Sequence, residues 1–71
     1  MKITKETLKE ARLAKGLTVE AAAKAARAQD ARNWYRWEDG THSISESHWE
    51  LFLIHTDQVE DYAWTLRATN E

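Results

Sequence analysis

The stretch Asp30-Ala31-Arg32-Asn33-Trp34-Tyr35-Arg36-Trp37-Glu38-Asp39-Gly40 decides how the rest of the chain reads. It opens on an acid suited to a helix N-cap and closes on a glycine suited to a helix end. Between them, helical periodicity puts positions 31, 34, 37 and 38 on one stripe and 32, 35, 36 and 39 on the opposite one, with Asn33 near the edge. The tryptophans are expected to point inward and the arginines outward. A helix anchored by an aromatic face while Arg32, Asn33 and Arg36 face solvent suits recognition of an anionic partner, and the partner expected is DNA.

The flanking segments read as further short helices. Ile3, Thr4 and Leu8 have the spacing of a hydrophobic staple around an N-cap, which starts a first helix over about 5–15. Gly16 suits the left-handed position after it, and Leu17 the apolar contact that often follows. Thr18 is the next N-cap. Residues 19–28 then form an alanine-rich second helix, in which Ala22, Ala23 and Ala26 let another helix approach closely. Trp34 and Trp37 are the expected fillers of that space. After a break at 28–29, the 30–39 helix and a loop over 41–43, the staple recurs as Ile44, Ser45 and Trp49. It opens a fourth helix over 46–55, apolar nearly all round and expected to be covered on more than one side. A fifth helix over 57–67 carries Val59, Tyr62, Ala63 and Leu66 at helical spacing, with Trp64 off that stripe. Trp64 reads as an interface anchor, and Val59, Tyr62 and Leu66 as its companions in a dimer contact.

Composition sets the frame. Seventy-one residues make one domain over 1–71, in which only about 60% of the unfolded chain's surface can be buried. There is no cysteine to supply a disulfide or a thiolate-bound metal, so stability must come from packing or from a partner subunit, and a homodimer is expected. Absence of proline, two glycines and no strand-length alternation give an all-α chain, a compact five-helix bundle. No apolar run approaches the roughly 18 to 20 residues of a membrane span, and the basic N-terminus leads into no apolar signal segment, so the expected location is the cytoplasm. His48 and His55 lie about two turns, or 10 Å, apart along one helix, too far to share a zinc, and His42 has no matched partner. The serines and aspartates read as helix caps. No metal, cofactor, small-molecule ligand or catalytic constellation is expected.

The net charge of −2 is smaller in meaning than its distribution. Residues 1–37 carry nine basic against four acidic side chains, and residues 38–71 one against eight. A basic N-terminal half can approach a phosphate backbone from one side. The same asymmetry leaves a rival reading, an antitoxin-like or other protein-interaction module that works through its acidic C-terminal half.

The blocks Leu8, Arg12, Gly16-Leu17-Thr18, then Glu20 and Ala23, then Trp37-Glu38 and Gly40 occur in order, and over residues 8–55 the chain resembles the Cro/C1 (XRE) family of helix-turn-helix regulators. Ala22-Ala23-Lys24 and Ala31-Arg32-Asn33-Trp34 running into Trp37-Glu38-Asp39-Gly40 look like the anti-CRISPR-associated regulators of phages and mobile elements. The resemblance implies a lambda-repressor-like domain with its helix-turn-helix over about 18–39, acting as a homodimeric repressor on an inverted-repeat operator and regulating its own operon. It implies a salt bridge between Arg12 and Glu38, a phosphate contact at Thr18, and base contacts from Ala31, Arg32, Asn33 and Arg36. The residues 16–40 are one longer than the commonest family spacing, and Arg27 or Ala28 stands where a turn glycine is usual, so the turn is expected to be relaxed or helix 2 to end in an extra residue.

The chemistry of each reader leaves alternatives. Arg32 can meet guanine O6 and N7 with two parallel N–H bonds, or clamp a phosphate. Arg36, one turn later, divides between base and phosphate. Asn33 can read adenine or cap its own helix. Tyr35, Lys24 and Arg27 are phosphate candidates, which set position and affinity without reading sequence.

Overall fold

Four side chains start four helices in the computed structural model, which describes residues 3–67. Thr4, Thr18, Asp30 and Ser45 are N-caps of α1 (Lys5–Ala14), α2 (Val19–Ala25), α3 (Ala31–Asp39) and α4 (Glu46–His55). Their oxygens accept the backbone N–H groups of Thr7 at 3.1 Å, Ala21 at 3.1 Å, Arg32 at 2.8 Å and His48 at 3.2 Å. Each satisfies one of the donors that a helix start leaves without an internal partner. A fifth helix, α5 (Ala63–Arg67), follows, and there is no strand among the described residues. None of these helices is long and apolar enough to cross a membrane. The single domain expected over 1–71 extends past this range, since residues 1, 2 and 68–71 lie outside the described residues.

Three helix ends share one hydrogen-bond pattern. After α1 the N–H of Gly16 meets Leu13 O at 3.0 Å and that of Leu17 meets Arg12 O at 3.2 Å, with Gly16 at φ +64°. After α2 the same roles fall to Arg27 and Ala28, bonded to Lys24 O at 3.0 Å and Ala23 O at 2.9 Å. After α4 they fall to Asp57 and Gln58, bonded to Ile54 O at 3.3 Å and Leu53 O at 2.8 Å. This is the Schellman arrangement, which requires a left-handed residue. Arg27 at φ +61° and Asp57 at φ +58° adopt that conformation with a side chain present. The expectation for helix 2 is corrected accordingly. It ends at Ala25 rather than near 28, because Arg27 takes the left-handed position and residues 26–30 form the connection.

The core sets alanines of α1 and α2, with Leu8 of α1, against large side chains of α3 and α4. Leu8, Ala11, Ala22, Ala23, Ala26, Trp34, Ile44, Trp49, Phe52 and Leu53 are buried together, with Trp37, Tyr62 and Leu66 partly buried against them. The rings form a continuous chain: Trp37 meets Trp34 edge-on at 5.7 Å, Trp34 meets Phe52 at 4.9 Å, Phe52 stacks on Trp49 at 5.7 Å, and Trp49 meets Tyr62 edge-on at 5.6 Å. Such pairs add about 0.5–1.5 kcal/mol each beyond the area they bury. α2 and α3 pack most extensively on each other, α1 packs on α3, and α4 packs on α2. The Cα radius of gyration, 10.9 Å, matches the roughly 11 Å of a packed domain of this length.

On α4, Trp49, Phe52 and Leu53 are buried, while Glu50 and Ile54 are exposed. One expectation for the C-terminal third is corrected. The fifth helix begins at Ala63 rather than 57, because Asp57 is left-handed and residues 56–62 run through turns. Polar side chains missed in the sequence hold this segment. Gln58 is buried, and its amide donates to Ala11 O at 3.1 Å and Thr56 Oγ1 at 3.0 Å. Thr65 is buried as well, accepting from Trp49 Nε1 at 2.9 Å and donating to Tyr62 O at 2.6 Å.

A non-glycine residue held left-handed carries a steric cost of roughly 1–2 kcal/mol that glycine escapes. Arg27→Gly is therefore expected to raise the unfolding free energy by about 0.5–1 kcal/mol after the entropy glycine adds to the unfolded chain. Urea titration followed by far-UV circular dichroism measures it, and a variant less stable than the parent contradicts the account of this turn.

Candidate nucleic-acid interface

α3 is fixed on its inner side by the burial of Trp34 and by the ion pair of Glu38 with α1. Trp34 is wholly buried, and its Nε1 donates to Glu38 Oε2 one turn on. Arg12 of α1 donates to the same oxygen through Nε and to Oε1 through Nη2 at 3.3 Å. Its Nη1 donates to Leu17 O at 2.9 Å, so one guanidinium joins α1, α3 and the approach to α2. The Arg12 and Glu38 side chains are each only 13% exposed. The indole bond was missed in the sequence, although the i, i+4 spacing of Trp34 and Glu38 puts the two on one face.

The outer side of α3 is basic and polar. Arg32, Tyr35 and Arg36 are exposed, while Ala31 and Asn33 are half-buried at the rim. The Arg32 side chain is 80% exposed and pairs with Asp30, whose Oδ2 lies 3.4 Å from Nη2. Both side chains stand in water, which screens this contact in the free protein. Asp30, not Asn33, caps the helix, which leaves the Asn33 amide free of the capping role. The N–H of Arg32, ahead of the charge of the same residue, holds the Asp30 carboxyl below the usual carboxylate range.

The other candidates lie elsewhere. Lys24 and Arg27 are exposed at the C-terminal end of α2, and Thr18 at its start uses its hydroxyl to cap Ala21. Of the four residues assigned to a dimer contact, Trp64 is 56% and Val59 37% exposed. The other two are engaged within the chain. Tyr62 lies against Trp49 and donates to Glu10 Oε1 at 3.3 Å, while Leu66 packs on the core. Burial first, and then the Glu10 charge, raise the Tyr62 hydroxyl above its ordinary value.

The histidines have local partners. His48 sits beside Trp37 at 5.4 Å with Nδ1 2.7 Å from Ser45 Oγ, and His55 Nδ1 lies 2.8 Å from Ala25 O, joining the ends of α4 and α2. No group of three metal-ligating side chains occurs among the described residues. Comparison of the chain with protein-family models, with curated proteins and with solved structures gives no match.

Glu38→Ala removes the acceptor of a buried indole and the counter-charge of a largely buried guanidinium. The expected loss is about 3 kcal/mol in unfolding free energy by urea titration. Glu38→Gln keeps one acceptor oxygen and should lose about half as much. Equal stability of both variants and the parent excludes Glu38 as the fastening of α3.

Proposed function

We propose that the chain is a sequence-specific DNA-binding repressor of the helix-turn-helix type, related to the Cro/C1 regulators, with α3 as the helix that enters the major groove. The observation that carries the reading is the two-sidedness of α3. One face is clamped by Trp34 and the Arg12–Glu38 pair, and the other offers Arg32, Tyr35 and Arg36 to solvent. A rigidly held helix with exposed arginines one turn apart meets the geometric need of direct readout, where side chains must reach base edges from a fixed register. α2 packed on α3 across the short connection 26–30 supports the helix-turn-helix assignment.

In this reading Arg32 and Arg36 read bases, with Asn33 and Ala31 at the rim of the contact, and Tyr35, Lys24 and Arg27 meet phosphates. The bound form is a homodimer on an inverted repeat whose half-sites lie about 10–10.5 bp apart or a multiple of that. Exposed Trp64 and Val59 supply the apolar part of the subunit contact. The operator lies upstream of the chain's own gene, as autoregulation in a phage or mobile element requires.

Fluorescence anisotropy with a duplex from that upstream region tests the reading. Arg32→Ala should weaken specific binding by about 1–3 kcal/mol without changing the melting curve. Parent affinity should fall steeply with salt as counterions are released. Salt-insensitive binding with no sequence preference, accompanied by capture of a protein partner through the acidic C-terminal half, favours the interaction-module reading instead.

A further inference from the structure

The carboxylate of Asp30 makes two contacts with one residue. Oδ1 accepts the backbone N–H of Arg32 at 2.8 Å, and Oδ2 lies 3.4 Å from its Nη2. The first contact fixes the carboxylate to the start of α3, and the second reaches the guanidinium. Thr4, Thr18 and Ser45 cap their helices with hydroxyls, so Asp30 alone among these four caps adds a charge. It does so at the head of the helix that carries Arg32 and Arg36. We propose that Asp30 is a specificity-determining positioning residue, whose carboxylate holds the Arg32 guanidinium with a two-pronged edge turned to a guanine and away from the phosphates. The inference rests on the reading of α3 as a recognition helix.

An arginine on a flexible stem beside a duplex has two competing targets. Phosphates lie nearer the rim and add affinity without sequence information, whereas the base edge discriminates. A fixed carboxylate shifts this competition in two ways. Its charge repels phosphate oxygens from the immediate neighbourhood of Arg32. It also occupies one of the five guanidinium N–H donors, which leaves a pair on one edge for O6 and N7. In the free protein the two side chains are 80% and 51% exposed, and water weakens their attraction. A duplex laid over α3 excludes that water and strengthens the same contact. The positioning therefore takes effect on docking, when the choice between phosphate and base is made.

The probes are duplexes enriched by the parent protein from a random-sequence pool, together with all single-base-pair variants of the enriched site. Asp30→Asn retains an N-cap of similar quality but removes the charge. It is expected to melt as the parent does and to bind an unrelated duplex as tightly or more tightly. Discrimination at the base pair whose preference disappears in Arg32→Ala should fall about tenfold. In the Arg32→Ala background Asp30→Asn should add nothing at that position. Undiminished discrimination in Asp30→Asn, or a loss of the same size without Arg32, overturns the positioning role. Asp30→Ser, a hydroxyl cap like the other three, carries the test if the asparagine variant does not fold. Failure of the parent to enrich any sequence overturns the DNA reading and this inference with it, whereas enrichment by the parent leaves only the role of Asp30 at stake.

Discussion

Three N–H donors from two helices converge on the carboxylate of Glu38: Nε and Nη2 of Arg12 and Nε1 of Trp34. A largely buried ion pair adds little net stability compared with well-packed apolar groups, because desolvation offsets most of the attraction. Its contribution here is orientation. A rotation of α3 by one residue, about 100° about its axis, keeps the indole bond within α3 but breaks both Arg12 bonds, turns Trp34 out of the core and leaves a largely buried guanidinium unsatisfied. The outward direction of Arg32 and Arg36 follows from that constraint. The Arg12 bond to Leu17 O extends it to the entrance of α2, so the pair α2–α3 is set against α1 as one body.

Packing volume comes from the chain of rings. Alanines on α2 bring its backbone close, and Trp34, Phe52 and Trp49 fill the space that remains. For a chain this short with no cysteine, aromatic side chains offer the most buried area for the fewest frozen torsions. The polar tips of the two deepest indoles are satisfied by Glu38 and Thr65, and no buried polar side-chain atom among those described lacks a partner.

Much of this was legible in the residue order. All four N-caps, the span of α4 and the stop at Gly40 follow from local chemistry, where each signal is a short-range competition between side chain and backbone. The inward tryptophan face of α3 follows from periodicity. The end of α2 was less legible, because a left-handed arginine is unfavourable by itself and is held there by the two bonds of the helix end. The late start of α5 was hidden for a different reason. Its determinants, Gln58 on Ala11 O and Thr65 on Trp49, join positions far apart, and a polar residue at such a place reads as surface when only its neighbours are visible. On the candidate interface, periodicity separates the exposed arginines from the anchoring tryptophans. The attachment of Asp30 to Arg32 needs a side-chain direction that periodicity does not supply.

The bond from Gln58 to Ala11 O spans 47 positions, and the Trp49 to Thr65 bond spans 16. Within the described residues α5 has five, well short of the roughly 12–15 that persist as a helix in water unaided. It exists only by docking, and docking requires the surface that α1 and α4 have already made. The segment 56–67 therefore depends on α1 and α4 for its structure, the dependence expected of a unit that opens locally ahead of the rest. α3 does not touch those two bonds, so its register survives an opening that releases Trp64. The face turned to nucleic acid and the segment available to a second subunit can thus differ in local stability within one small domain.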